Sequence, residues 1–210
     1  MTAGDAGALG PRDVETFRRC VAVGGVALFP SDTVYGLATE PESREGVRRL
    51  YRLKGRDAAR PAAVMFFDLE LALAALPELG PRTRGALERL LPAALTMLLP
   101  NPAHRYPLAC GPEPDRLGLR VPELPARLAP LAAARWPVLQ SSANRSGGPD
   151  ARRLDEVDER VRRAVDLELD GGELPGVAST VVDLTRYEHE GTHRVLREGA
   201  VATGRVAAVL

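Results

Sequence analysis

Of the 28 basic side chains in this 210-residue chain, one is a lysine, Lys54, and the other 27 are arginines. In an Arg- and Ala-rich composition, that single lysine is either chance survival or a place where a compact, flexible ammonium is needed and a planar guanidinium will not serve. It opens the stretch Lys54-Gly55-Arg56, which continues to Arg60-Pro61. Three cations within seven residues, with a glycine permitting close approach, suit a polyphosphate, because phosphate oxygens accept from both point charges and forked donors. A basic helix end facing its own dipole would carry the same residues.

Three further clusters carry polar groups in sharp turns or directly after apolar runs. Pro30-Ser31-Asp32-Thr33 offers hydroxyls and a carboxylate after VALF, as a site for a small polar ligand or as a self-contained Asx or ST turn. Gln140-Ser141-Ser142-Ala143-Asn144-Arg145-Ser146-Gly147-Gly148-Pro149 supplies hydroxyls, an amide and backbone donors able to cradle an anion, or forms an ordinary polar loop. Ala178-Ser179-Thr180-Val181-Val182-Asp183, with Arg197 further on in VLREG, reads by itself as a strand with polar edge positions. No Walker loop, dinucleotide fingerprint, metal-binding histidine pair or nucleophile elbow occurs. His104, His189 and His193 lie in polar stretches without a partner pattern.

Composition narrows the class. Twenty-eight acidic residues balance the basic ones, so a whole-surface grip on nucleic acid is excluded while a local patch is not. Nine aromatics are few for a platform that stacks single strands. A 45% hydrophobic content excludes disorder, and no run approaches the ~18 apolar residues of a membrane span. The opening MTAGDAGALGPRD has neither the basic start nor the apolar core of a secretory signal. Cys20 and Cys110 show no metal or redox spacing and read as reduced thiols of a cytoplasmic protein. A chain of this length buries about 70% of its unfolded surface and needs no disulfide or zinc to fold.

The elements that must position these clusters follow from periodicity. Helices are expected over 11–23, 43–53, 69–76, 81–91, 126–135, 154–165 and 204–210. Strands are expected at Val26–Pro30, Val64–Phe67, Leu95–Leu99, Leu117–Val121 and Val138–Gln140, and three more at 166–169, 179–184 and 194–197. Residues 101–115 are Pro-rich and expected to form a mobile loop. Strands alternating with helices before a strand-rich end indicate an α/β domain with a mixed sheet, whose ligands bind off the strand ends.

Taken together, SDTVYGLA, LKGRDAARP, LGLRVP, SSANRSGGP, STVVD and VLREGA resemble, in order and spacing, the YrdC family of threonylcarbamoyl-AMP synthases. The resemblance spans roughly residues 15–201. It implies the short form of the family, one domain over 1–210 with its core at about 11–201. The implied fold is a twisted sheet of parallel and antiparallel strands with helices on both faces around a large basic cavity. The implied reaction joins L-threonine, bicarbonate and ATP into threonylcarbamoyl-AMP and pyrophosphate, with Mg²⁺ accompanying the triphosphate, for threonylcarbamoyladenosine in tRNA. Such chemistry needs positioning and neutralised phosphate charge rather than a protein nucleophile.

By the same resemblance, Thr33 and Ser179 hold threonine, Ser142 joins that pocket, and Arg120 stands at the cavity on the threonine side or in an internal ion pair. Lys54, Arg56, Arg60 and Arg197 contact ATP or its phosphates, with Lys54 and Arg56 as the catalytic pair. Thr96 and Asn144 lie by the nucleotide. The chain departs from the family in three places: Met65 stands where many members have a histidine beside threonine, Pro92-Ala93-Ala94 replaces proline-glycine-proline, and Ala178 replaces an acidic residue. Methionine donates no strong hydrogen bond, so adenylation with another carbamoyl acceptor is an alternative. A non-catalytic, double-stranded RNA-binding protein is another, with Arg44, Arg48, Arg49 and Arg52 meeting phosphates. Partners would then include tRNA, double-stranded RNA or tRNA-modification proteins, and no membrane.

Overall fold

A computed structural model describes residues 7–57 and 59–210. The first six residues of the opening segment and Ala58 of the basic motif lie outside the described residues. The chain starts with helix α1 (Pro11–Ala22), capped by the Asp13 carboxylate, which accepts from Gly10 N at 2.8 Å. Its apolar face, Val14, Phe17 and Val21, is buried, and Phe17 meets Phe29 and Phe67 with ring centroids 5.3 and 5.9 Å apart.

Strand β1 (Ala27–Pro30) then turns through residues 31–34 into β2 (Tyr35–Thr39), its antiparallel neighbour. The run VYGLA, which the periodicity left unassigned, is therefore a strand. Every residue of β2 is buried, so it lacks the polar alternation that betrays a half-exposed strand. Helix α2 (Arg44–Lys54) is capped by Ser43 Oγ, which accepts from Gly46 N at 3.1 Å. It ends at Gly55, whose φ of +56° is the left-handed conformation that favours glycine. That stop carries the chain from the helix into the basic motif.

The remaining elements are β3 (Ala63–Met65), α3 (Leu69–Ala75), α4 (Pro81–Leu90), β4 (Leu95–Pro100), α5 (Pro107–Cys110), β5 (Arg116–Arg120), β6 (Val138–Ser142), α6 (Glu159–Arg162), β7 (Leu167–Glu168), β8 (Thr180–Asp183), α7 (Tyr187–Glu190), β9 (Arg194–Arg197) and α8 (Thr203–Val209). Among the described residues, nine strands form one sheet in the order β7-β1-β2-β6-β3-β5-β4-β8-β9. The pairs β1/β7, β3/β5 and β4/β8 are parallel and the other five antiparallel, which bears out the mixed α/β sheet.

Three expected elements take other forms. The helix expected over 126–135 is a 3-10 segment, Ala129–Ala134, with a proline near its start. The helix expected over 154–165 splits into a 3-10 turn, Leu154–Glu156, and the single turn α6, because Val157 is extended and Asp158 begins a new cap by accepting from Arg160 N at 2.8 Å. The Pro-rich segment 101–115, expected to be a mobile loop, folds around buried Asn101, whose amide donates to Arg105 O at 3.0 Å and Pro114 O at 2.8 Å.

Candidate active site

The positions opposite one another across the middle of the sheet, Gln140 on β6, Ala63 on β3, Gly118 on β5 and Leu98 on β4, form a single row. All four line a cleft of about 450 Å³. The two small residues at the centre of the row keep its floor low. A Cβ at Gly118 would stand 3.3 Å from Ala63 Cα, already tighter than ordinary packing.

Around this floor the structure gathers most of the expected site. Thr33 reaches the cleft from the β1–β2 turn, Ser142 and Asn144 from the end of β6, and Arg120 from the end of β5. Thr96 projects from β4, Ser179 from just before β8, and Arg197 from β9. Arg56 follows the Gly55 stop of α2 and lines the opposite side. The elements that deliver these groups lie far apart in sequence, and the sheet register alone makes them neighbours.

Lys54 and Arg60 are placed differently. Lys54 is only 2% exposed and does not line the cleft. Its ammonium donates to Ser142 O, to Asn144 O at 2.7 Å and to Asn144 Oδ1 at 3.1 Å. Those three contacts use all three N–H donors of a lysine. Ser146 N returns a bond to Lys54 O at 2.8 Å, so the end of α2 and the serine-asparagine turn are tied at both backbone and side chain. Burial, with Arg56 beside it, pushes the Lys54 ammonium down to about 8, against an opposing pull from Asp150. The lone lysine thus shapes the turn that lines the cleft. Arg60 is exposed, outside the cleft lining, and its backbone carbonyl accepts from Tyr51 Oη at 2.8 Å.

The hydroxyl groups are coupled in pairs. Thr96 Oγ1 and Ser179 Oγ are 2.8 Å apart, and Arg197 Nη2 donates to Ser179 O at 2.8 Å. Arg120 donates to Asp32 Oδ1 at 2.7 Å, and both side chains are buried, 5% and 3% exposed. This is the internal ion pair that the sequence left open for Arg120, formed inside the cleft wall. Burial pushes the Asp32 carboxyl up while Arg120 pulls it down, and burial likewise lowers Arg120. The guanidinium keeps its charge in any case.

Charge is unevenly committed among the four lining arginines. Arg120 is matched by Asp32 and Arg116 by Glu113. Arg56 and Arg197 have no carboxylate partner among the described residues, which leaves two cations for an anion in the cleft. Asp150 is the one carboxylate in the lining among the described residues. Among the described residues no group of three or more His, Cys, Asp or Glu side chains could hold a metal ion. Sequence reasoning missed Ser141, Gln140, Arg116 and Asp150 as lining residues. The first two stand in the Gln140–Pro149 polar cluster without having been singled out, Arg116 is brought to the cleft on β5, and Asp150 lies in the loop just after that cluster. Met65 is fully buried on β3, opposite Arg120 and Val138, and does not line the cleft.

The motifs that meet here are matched, as a set, by the Sua5/YciO/YrdC family model, described as telomere recombination, over residues 19–199. The chain belongs to this family. A threonylcarbamoyl-AMP synthase of Pyrococcus abyssi is 30% identical over 165 residues, covering 78% of this chain and 48% of that protein. One from Chromohalobacter salexigens is 34% identical over 167 residues, covering 79% and 89% of the two chains. The structure of P. abyssi Sua5 complexed with L-threonine matches with a TM-score of 0.83 at 26% identity, covering 96% of this chain and 58% of that one. This chain spans about half the length of the P. abyssi and Bacillus subtilis synthases it matches. The match to the Sua5/YciO/YrdC family model therefore spans the whole of the sheet described above, including every strand that borders the cleft.

Among the described residues, three of the four arginines on α2 have carboxylate partners. Glu45 stands 3.9 Å from Arg48 and 3.6 Å from Arg52, and Arg49 binds Asp166 and Ala164 O, both at 2.5 Å. Among the described residues, no helix is long and apolar enough to cross a membrane.

Proposed function

We propose that this chain is an L-threonylcarbamoyladenylate synthase, a nucleotidyltransferase acting in tRNA threonylcarbamoyladenosine formation in the cytoplasm. The observation that carries the reading is the meeting, in one cleft, of two cations without carboxylate partners, Arg56 and Arg197, with the hydroxyls of Thr33, Ser142 and Ser179. Anion and amino-acid groups can thus be held within one cavity of about 450 Å³.

The chemistry balances without a protein nucleophile. The threonine amine and bicarbonate give the N-carboxylate and water. A carboxylate oxygen of that carbamate then attacks the α-phosphorus of ATP, and pyrophosphate leaves. The protein's contribution is alignment and neutralisation of developing charge. Arg56 and Arg197 serve the phosphates, with Asn144 and Thr96 beside the nucleotide. Thr33, Ser142 and Ser179 hold threonine. Lys54 acts through the Ser142–Asn144 turn, adding its positive field to the phosphate side. Arg60 reaches phosphate only at the outer edge. A Mg²⁺ carried in with the triphosphate would find Asp150 as its one lining carboxylate among the described residues and so would keep phosphate and water ligands.

The test measures pyrophosphate release by the purified protein. Release should require threonine and bicarbonate together, and Arg56→Ala should lower it by about 100-fold or more, the usual cost of removing a charge-stabilising donor. Release indifferent to threonine, or unchanged turnover in Arg56→Ala, would sink the proposal. Stimulation by a different amino acid would redirect it to another carbamoyl acceptor.

A further inference from the structure

The hydroxyl of Thr33 has its proton assigned by its neighbours. Ser31 Oγ lies 2.9 Å from Val34 O, and a carbonyl can only accept, so the single Ser31 hydroxyl proton is spent there. Ser31 Oγ is also 3.1 Å from Thr33 Oγ1. With the serine proton already committed, that contact is a bond donated by Thr33 to Ser31. On its other side Thr33 Oγ1 accepts from Arg120 Nη2 at 3.3 Å. The same Nη2 carries the 2.7 Å bond to Asp32, and Asp32 Oδ2 is held by Glu123 N at 3.3 Å. Arg120 is fixed on a third side by Gln140 Oε1, 3.3 Å from Nη1. Thr33 thus has one bond donated and one accepted, both to protein, and one lone pair left. It lines the cleft although almost wholly buried.

We infer that Ser31 and the Asp32–Arg120 pair are positioning residues that fix the Thr33 hydroxyl as a hydrogen-bond acceptor toward the ligand, so that this corner of the cleft selects an N–H group, the amine of the amino-acid substrate. The inference rests on the reading of the cleft as an amino-acid site. Its chemical sense lies in the amine's lone pair. A hydroxyl that donated to the neutral amine nitrogen would occupy the electron pair that must bond to the bicarbonate carbon. A hydroxyl that accepts one N–H orients the nitrogen and leaves that pair free. Ser31 does this without touching the ligand, and neither it nor Asp32 is among the residues that line the cleft.

The experiment compares binding of L-threonine and of 3-hydroxybutyrate, the same acid without the amine, by calorimetry. Wild-type protein should prefer threonine. In Ser31→Ala, Thr33 loses the acceptor of its proton and the hydroxyl is free to turn a donor into the cleft. The preference should then shrink by about tenfold, the worth of one neutral hydrogen bond. Ser31→Thr keeps a hydroxyl in place and should retain the preference. If Ser31→Ala weakens both ligands equally, or neither, the proton assignment is wrong while the amino-acid site stands. If wild-type protein binds no threonine, the reading of the site falls and this inference falls with it.

Discussion

Two buried cations serve the same cleft, Arg120 in its lining and Lys54 behind the turn that lines it, and they are stabilised in opposite ways. Arg120 is held by a carboxylate, Asp32, at 2.7 Å. Lys54 is held by neutral oxygens alone, the Ser142 and Asn144 carbonyls and the Asn144 side-chain amide. The first arrangement is locally neutral and spends its field on holding Thr33. The second leaves a full unit of charge behind the turn that faces the ligand. Charge on the page of a sequence is therefore not charge available to a substrate, since the partner decides whether a buried cation is a brace or a source of field.

The contrast breaks most directly at Asp32. Replacing it by asparagine leaves Arg120 buried without a counter-charge, and loss of one partner of a buried pair costs about 3–5 kcal/mol. Denaturant unfolding should show that loss. A change below about 1 kcal/mol would mean that Arg120 finds water and is not buried as described.

Next in size is the pH dependence of Lys54. Its native ionisation near pH 8 lies below the 10.5 of an unperturbed lysine, so the unfolded chain binds the extra proton between those values. Stability should rise with pH across that window, by roughly 3 kcal/mol in all, and the burial penalty should be fully present below it. ATP affinity should move the other way, weakening as pH rises through about 8 and the ammonium is lost. Lys54→Met, measured by urea unfolding and by ATP titration from pH 6 to 10, should abolish both slopes. A mutant with the wild-type pH profile would assign the titration to another group.

A smaller effect separates field from shape. At pH 7, Lys54→Met removes the cost of burying a charge but leaves three oxygens without their donor. These terms oppose each other, so stability should change by less than about 2 kcal/mol. Nucleotide-dependent turnover should nonetheless drop by about 100-fold. Equal losses in stability and turnover would make Lys54 a structural residue only.

Much of this was legible in the sequence, and the failures have a common cause. The motif residues Thr33, Arg56, Ser142, Ser179 and Arg197 line one cleft: Thr33 and Ser179 flank strands, Ser142 and Arg197 end β6 and β9, and Arg56 follows the glycine stop of α2. Strand β2 escaped because it is buried on both faces and shows no alternation. The cleft floor escaped because Ala63 and Gly118 matter by being small where two strands come into register, and register is a property of pairs of strands. Lys54 was conspicuous by composition, yet its hydrogen-bond partners were not. A count of residue types cannot say that three oxygens from a turn about ninety positions away already occupy its hydrogens.

Arg197 stands on β9, an edge strand of the sheet, hydrogen-bonded along one edge only and joined to β8 through an irregularity at Val181/Val182. Arg56 grips the opposite side from the end of a capped helix. An anion spanning the two would fasten an edge strand to one of the better anchored parts of the molecule, so occupancy would brace one margin of the sheet as well as fill the hollow.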